Sequence, residues 1–425
     1  MTLLIFAGVL LAAMSLGMPI AFALMVSSLA LMWHLDAFDA QGLALQMING
    51  ADSFPLLAIP FFMLAGEAMN AGGLSRRLVG LGMKLVGHVR GGLGYVAVIA
   101  AIFLASLSGS AVADTAALAA VLLPVMKQAG HDVPRSAGLM AAGGIIAPVI
   151  PPSIGYIVFG VAANVSITSL FLAGIVPGIL MGLALAVTWA VCARNEGAAV
   201  LPRASWAERL QALKEAGLAL GLPALIIGGL RFGIFTPTEA AVVAAVYALA
   251  VGMLVYRELH PRDLPKVMLA AVRTSAAVMF LVAAAAVSAY LITIADIPGE
   301  VRGLLEPFMG ERILLMLAIM LLVVVVGTAL DFIPTILILT PVLMPIVREA
   351  GIDPVYFGVL FIMNNAIGLL TPPVGTVLNV VCSVGRVRMG AVVRGVMPFL
   401  TAQIVVLLAL VMMPWLVLGP LRWMR

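Results

Sequence analysis

The sequence predicts an all-α membrane protein that crosses the bilayer many times, and three observations carry this prediction. Of the 425 residues, 64% are hydrophobic and only 10% are charged, whereas soluble domains carry roughly 25% charged residues. Long apolar runs fill the chain between short polar stretches. Two of these runs, Leu139 to Ala163 and Gly358 to Val384, are interrupted by Pro-Pro pairs. A helix broken at membrane depth is tolerated only where protein or a water-lined cavity covers its backbone.

The composition also excludes other classes of protein. The formal net charge of +4 comes from basic residues scattered through short loops, without the basic face of a nucleic-acid-binding protein. The lipid bilayer, and not nucleic acid, is therefore the expected surrounding partner. The sequence contains neither a Gly-rich phosphate loop ending in Lys-Ser/Thr nor a His-Glu-x-x-His pair. We therefore expect no enzyme activity and no organic cofactor.

The first half of the chain reads as scaffold helices followed by a candidate transport unit. Basic residues alternate with leucines after residue 73, which indicates an amphipathic helix in the headgroup plane. A small polar tip then separates two apolar runs, as in a re-entrant hairpin, although two full spans joined by a loop would give the same hydropathy. The expected elements of this repeat, 1–193, are scaffold helices in 1–73, an arm in 74–90, a hairpin in 91–128, a broken helix in 135–165 and a span in 168–192.

The second half repeats this plan after a charged central loop. Loop residues 194–215 contain most of the charges in the middle of the chain, so we expect the boundary between the halves there. The elements expected for the second repeat, 216–425, are scaffold helices in 216–294, an arm in 295–310, a hairpin in 311–348, a broken helix in 354–385 and a span in 391–418.

A constant offset supports the repeat. Prolines recur at an offset of 221 residues, as in Pro124 and Pro345, Pro151 and Pro372, and Pro177 and Pro398. With five crossings and one hairpin in each half, the odd number of crossings inverts the second copy. Inverted repeats with paired discontinuous helices are typical of secondary transporters, whose site lies near the midplane between the copies.

Oxygen-bearing side chains cluster at both hairpin tips. Ser106, Ser108 and Ser110 surround Gly109 in the first tip, and such a set resembles the oxygen ligands of a hard cation. The alternative is that these serines only bond the carbonyl of the preceding helical turn. The corresponding residues of the second tip are Gly327, Thr328 and Asp331.

Carboxylates and amides inside apolar segments are further candidates. Asp114 and Asp331 are functional candidates because charged groups in a membrane are costly, with a helix cap or a structural ion pair as the alternative for each. Asn364 and Asn365 precede the second break and could bond a substrate or brace the broken backbone. The Thr236 to Glu239 stretch predicts a capping box with proline at the first helical position.

Four motifs carry a resemblance to a known family, namely Ser108-Gly109-Ser110-Ala111-Val112-Ala113-Asp114-Thr115, Ala147-Pro148-Val149-Ile150-Pro151-Pro152-Ser153, Phe235-Thr236-Pro237-Thr238-Glu239-Ala240 and Leu370-Thr371-Pro372-Pro373-Val374-Gly375. Together they resemble the large membrane subunit of tripartite ATP-independent periplasmic (TRAP) transporters. The resemblance covers nearly the whole chain and implies an elevator mechanism, Na⁺ as coupling ion and an organic acid delivered by a periplasmic binding protein. It also implies a small membrane subunit of about four helices and a bacterial inner-membrane location.

The same resemblance implies two Na⁺ sites, with the substrate between the tips. The substrates of the family are carboxylates such as C4-dicarboxylates, sialic acids and 2-oxo acids. The residues expected at the first Na⁺ site are Ser106, Ser108, Gly109, Ser110, Ile150, Pro151 and Ser153. Those expected at the second are Gly327, Thr328, Asp331, Leu370, Thr371 and Pro372. Those expected at the substrate are Ser108, Ser110, Asp114, Pro152, Thr328, Asn364, Asn365 and Pro373.

Three other functions stay open on the sequence. A stand-alone Na⁺/dicarboxylate symporter would share the fold and need no binding protein. An intramembrane hydrolase could use Asp114 and Asp331 as a pair of aspartates, although the Gly-x-Gly-Asp context of such proteases is absent. A channel would conduct without dependence on Na⁺.

Overall fold

The computed structural model describes residues 1–328, 330–372 and 375–424, and within these ranges every regular element is helical. Eight of the described helices are long and apolar enough to cross a membrane, so the chain is a multi-pass membrane protein. The helices of the first half are α1 (Thr2–Ser15), α2 (Ile20–His34), α3 (Ala40–Ala51), α4 (Ala58–Ala71), α5 (Leu74–Val86), α6 (Gly92–Ser108), α7 (Ala111–Gln128), α8 (Val133–Gly144), α9 (Ile154–Ala163) and α10 (Ile167–Cys192).

The second half supplies ten more helices. The longest, α13, has 31 residues and is about 46 Å long, which exceeds the roughly 30 Å of a hydrocarbon core. The helices are α11 (Trp206–Arg231), α12 (Pro237–Ala250), α13 (Leu264–Ile294), α14 (Ile297–Leu305), α15 (Arg312–Gly327), α16 (Phe332–Glu349), α17 (Pro354–Gly368), α18 (Thr376–Gly385), α19 (Met389–Met412) and α20 (Trp415–Met424).

Side-chain caps start several of these helices. The capping box predicted at Thr236 is confirmed, because its hydroxyl accepts from Glu239 N while the Glu239 carboxylate accepts from Thr236 N. Asp132 caps α8 and Asp353 caps α17, each accepting from backbone N–H groups of the first turn. These two caps lie 221 residues apart (353 minus 132), so the repeat extends to the residues that begin the helices.

The structure differs from two of the expected boundaries. The charged loop expected over 194–215 is shorter, because α11 already begins at Trp206. A capping box formed by Ser205 and Glu208 starts this helix, and its charges therefore line a helix and not a loop. The last span, expected over 391–418, ends at Met412, and α20 begins at Trp415, just after Pro414. Proline has no amide N–H to continue a helical ladder.

The amphipathic helix expected after residue 73 is α5. It buries Leu74, Leu78 and Leu81 against the core, while its charged side chains reach across to other elements. Lys84 Nζ lies 3.0 Å from a carboxylate oxygen of Glu208 on α11.

The two halves are interleaved. Subtracting the bounds of α7 from those of α16 gives 221 at both ends (332 minus 111 and 349 minus 128). Helix α7 of the first half packs against α18 of the second, and α16 of the second half packs against α9 of the first. In the scaffold, α4 packs against α12 and α2 against α13. Each half therefore completes its packing with elements of the other.

An ion-pair cluster ties the base of the first hairpin to the linker that follows α10. Arg135 Nη1 lies 2.6 Å from Glu196 Oε1, and His131 Nδ1 lies 2.8 Å from Glu196 Oε2. The same guanidinium donates to the Cys192 carbonyl at 3.2 Å. Because the Glu196 side chain is only 12% exposed, water screens this cluster weakly.

Candidate transport site

The first hairpin tip lies against the first break. Helix α6 ends at Ser108, Gly109 adopts a left-handed conformation with φ +60°, and Ser110 caps α7. A Cβ added to Gly109 would lie 2.7 Å from the Pro152 carbonyl oxygen and 3.5 Å from Ile154 N. Only glycine combines this φ with so close an approach. The tip and the break are therefore in direct backbone contact.

A buried carboxylate is hydrogen bonded within the first tip. Ser108 Oγ donates to Asp114 Oδ1 at 2.5 Å and accepts from Ser110 N at 3.1 Å. Asp114 is 3% exposed, and neither its Oδ2 nor the buried Thr115 Oγ1 has a partner among the described residues. Buried polar groups are usually satisfied, so Asp114 Oδ2 is a candidate ligand beside the tip, whereas Thr115 Oγ1 lies against Gly144 of α8.

The other predicted residues of the first site have local partners. Ser106 Oγ donates to the Phe103 carbonyl at 2.6 Å, which is the local bond expected as its alternative, and Ser153 Oγ donates to the Pro148 carbonyl at 2.6 Å. Each hydroxyl oxygen keeps acceptor capacity while it donates. Ile150 and Pro151 are buried in the break, and the Ile150 side chain approaches Gly178 of α10.

The second tip approaches the second broken helix less closely. A Cβ on Gly327 would lie 3.5 Å from Asn365 Oδ1 and 3.9 Å from the Gly368 Cα. Thr328 Oγ1 donates to the Val325 carbonyl at 2.7 Å. Asp331 is exposed and its side chain does not cap α16. The contact between tip and broken helix therefore runs through the glycines and the asparagine.

The residues predicted at the second break differ in their surroundings. Leu370 is buried, Thr371 is half-buried and Pro372 is exposed. Thr371 Oγ1 donates to the Ile367 carbonyl at 3.2 Å. Pro373 lies outside the described residues.

Asn364 and Asn365 brace the second hairpin. Asn364 Nδ2 donates to the Met320 carbonyl of α15 and Asn365 Nδ2 to the Phe332 carbonyl of α16, both at 2.7 Å. The sequence left two roles open for these residues, binding a substrate or bracing the broken backbone. Both side-chain nitrogens are used in bracing the backbone. The buried Asn364 Oδ1 has no partner among the described residues and remains available as an acceptor.

The N-termini of α9 and α7 lie close together where the first tip meets the first break. Ile154 N, at the start of α9, lies close to Gly109 in front of α7, as described above. The side chain of Phe332, the first residue of α16, packs on α9, since a Cβ on Gly155 would lie 2.7 Å from the Phe332 ring Cζ. Helix N-termini carry partial positive charge and unsatisfied N–H groups, so they attract anions. The arrangement can stabilise a carboxylate without an arginine.

The repeat does not place the two aspartates at equivalent positions. Subtracting 221 relates Asp331 to Ser110, the residues that directly precede α16 and α7, whereas Asp114 corresponds to Thr335. Thr335 is buried and donates to the Asp331 carbonyl at 2.8 Å. Sequence reasoning missed Thr115 and Thr335 as polar groups beside the tips. The offset of 221 could have found Thr335 by pairing it with Asp114.

Comparison with known proteins decides the family. Residues 7–416 match the family described as the DctM component of the tripartite ATP-independent periplasmic transporter. The chain belongs to this family. It is also similar to a putative TRAP transporter large permease protein of Haemophilus influenzae, with 57% identity over the full length of both chains. The resemblance drawn from the four motifs is thereby confirmed, and the chain is a TRAP large permease.

A second relative and a solved structure complete the comparison. The 2,3-diketo-L-gulonate TRAP transporter large permease protein of Escherichia coli is 54% identical over the whole of both chains. The YdaH transporter of Alcanivorax borkumensis has a similar fold, with a TM-score of 0.64, 16% sequence identity and coverage of 90% of this chain and 91% of that chain. At this identity the likeness of the TRAP permease to YdaH shows the fold alone.

Proposed function

We propose that this TRAP permease takes up a carboxylate-bearing organic acid together with Na⁺. The observation that carries the proposal is the contact between the first tip and the first break. There Asp114, hydrogen bonded to Ser108 of the tip, has a buried carboxylate oxygen without a partner among the described residues, and the N-termini of α9 and α7 lie close to each other. Oxygen ligands suit a hard cation, and helix N-termini suit a carboxylate. The contact between tip and break therefore offers oxygen ligands for a cation and N–H groups for a carboxylate.

The two tips and the two breaks would form the moving part of an elevator. Helices α6 to α10 and α15 to α19 would carry the site, while α1 to α4 and α11 to α13 would stay fixed in the bacterial inner membrane. Inverted repeats with discontinuous helices support this division. The interleaved packing of α7 on α18 and of α16 on α9 supports it too, because it joins both tips into one unit.

The substrate is best sought among sugar-derived keto acids. The E. coli relative, 54% identical, is named for 2,3-diketo-L-gulonate, and we propose a hydroxylated acid of this kind. C4-dicarboxylates and sialic acids are the comparison substrates. A periplasmic binding protein would select the acid, and a small membrane subunit would complete the permease.

Reconstitution with one component omitted at a time tests this proposal. Proteoliposomes that contain the chain, its small subunit and the binding protein should accumulate labelled 2,3-diketo-L-gulonate. Accumulation should stop when either partner is left out. Undiminished uptake by the chain alone would favour the stand-alone symporter, and uptake that persists in K⁺ without Na⁺ would favour a channel.

A further inference from the structure

A cavity of about 590 Å³ lies between the scaffold and the candidate transport unit, outside the residues discussed above. One wall is formed by α3, the residues that follow it and α13, and the opposite wall by α9 and α16. The cavity begins at Val158 and Leu337, four and five residues after the starts of α9 and α16. At 1.5 Å per residue, this places the cavity about 6 to 8 Å along these helices from their N-termini.

The two walls differ in chemistry. The scaffold wall presents Gln46, Asn49, Ser53, Tyr290 and Thr293. The transport wall at Val158, Val161, Leu337 and Pro341 is apolar. Close packing fixes the polar wall, since a Cβ added to Gly50 would lie only 2.2 Å from the Ala286 Cβ. The polar wall belongs to the fixed scaffold, and the apolar wall belongs to the unit that we propose to move. An apolar wall forms no hydrogen bonds that such a movement would have to break.

The polar heads of this wall are free to bind. In the part of the chain that the structure describes, the side chains of Gln46, Asn49 and Tyr290 form no hydrogen bond with protein. Amide groups both donate and accept, as does the tyrosine hydroxyl. Asp52 is the one charged group among the described residues that line the cavity. Such a wall complements uncharged hydroxyl groups and disfavours a carboxylate.

We propose that this wall is a subsite for the hydroxyl-bearing part of the organic acid, while the carboxylate is held at the helix N-termini near the tips. The inference rests on the proposed function and adds that the scaffold takes part in selecting the acid. A hydroxylated acid can bond Gln46 and Asn49, whereas succinate leaves both amides without a partner. A hydrogen bond is worth about 1 kcal/mol net, so each amide should contribute about fivefold to the preference.

Substrate protection of an introduced thiol tests the subsite without measuring transport. Cys192 and Cys382 would first be replaced by serine, and Asn49→Cys or Gln46→Cys then introduced into the purified permease with its small subunit. N-ethylmaleimide labelling at 49 or 46 should slow about tenfold in 2,3-diketo-L-gulonate at ten times its Kd. Succinate should give no such protection. Gln41→Cys is the matched control, because residue 41 is exposed on the same helix and lies outside the cavity.

The outcomes separate the subsite from the proposed function. Equal protection by succinate would overturn recognition of hydroxyl groups, and absence of protection at both positions would overturn the subsite. Loss of protection at 49 in a Tyr290→Phe variant would support it further. If uptake by the reconstituted three-part system stays Na⁺-dependent while residues 46 and 49 are never protected, the proposed function stands and only the subsite fails.

Discussion

Gly109 approaches the backbone of the first break closely, and its replacement should be far more damaging than that of Gly327. A Cβ at Gly109 would meet the Pro152 carbonyl oxygen at 2.7 Å in a left-handed conformation, which costs about 1 to 2 kcal/mol for other residues. At Gly327 the nearest atom would be 3.5 Å away, an ordinary contact. We expect Gly109→Ala to lower uptake at least about tenfold and Gly327→Ala to retain most of it. Equal loss in both variants would contradict the contact between tip and break.

Ser108 links the tip to Asp114, and its removal should weaken the response to Na⁺. Ser108→Ala takes away one oxygen and leaves the buried Asp114 carboxylate without its donor. A hydrogen bond to a charged group contributes about 1.5 to 3 kcal/mol, so the Na⁺ concentration for half-maximal uptake should rise at least about tenfold. Ser27→Ala is the control, because this buried hydroxyl donates to the Ala23 carbonyl far from either tip. An unchanged Na⁺ response of Ser108→Ala would remove this serine from the site.

Residue types near the tips were predictable from the sequence, whereas their partners were not. Ser108 and Asp114 stand out as polar residues in an apolar stretch. That Asn365 bonds the Phe332 carbonyl across 33 residues depends on how α17 packs against α16. No local pattern encodes such a contact, and only the three-dimensional packing separates bracing from ligand binding.

The first broken helix should lose its function if its prolines are replaced. In the variant Pro151→Ala with Pro152→Ala, two of the three amide donors missing from residues 145–153 return, and α9 can extend backwards towards Pro148. This extension would move the N-terminus of α9 away from the site, so uptake should be lost while the protein still inserts. Membrane extraction and size-exclusion chromatography would verify insertion. Active transport by the inserted variant would show that the break is not part of the site.

The linker cluster around Glu196 should stabilise the fold more than an exposed ion pair does. Glu196→Gln removes the carboxylate that pairs with Arg135 and His131 where little water reaches. We expect the free energy of unfolding to fall by about 1 to 3 kcal/mol. Glu349→Gln is the matched control, because Glu349 pairs with Arg302 where both side chains are about half exposed, and surface pairs contribute about 0 to 1 kcal/mol. Thermal unfolding in detergent should show a clearly larger fall in Tm for Glu196→Gln. An equal fall in Tm for both variants would mean that water screens the two ion pairs equally.

Capping residues and prolines in the sequence predicted where helices begin. The boundary was wrong where a charged stretch was interpreted as a loop. Thr236 and Glu239 marked the start of α12 correctly. Ser205 and Glu208 form the same kind of capping box, but the charged residues around them resemble a loop. Helix α11 begins at Trp206, ten residues before the predicted start at residue 216. Charged residues at a membrane surface can lie on a helix whose apolar face packs on the protein, as α11 does on α5.

At the scale of the whole molecule, the sequence shows the repeat as a constant offset. It does not show that helices of one half pack against helices of the other. The value of 221 relates α7 to α16 residue by residue. The exchange of partners, with α7 on α18 and α16 on α9, follows from the packing of apolar faces between the halves, which hydropathy cannot assign. This exchange places both tips in one unit and gives the proposed elevator its moving part.

The most direct test of coupled transport is uptake driven by an imposed ion gradient. Proteoliposomes with the chain, its small subunit and the binding protein would receive labelled 2,3-diketo-L-gulonate under an inward Na⁺ gradient, under an equal K⁺ gradient or with Na⁺ equal on both sides. We expect accumulation above the external concentration only with the inward Na⁺ gradient. Equal accumulation under the K⁺ gradient, or mere equilibration under the Na⁺ gradient, would contradict it.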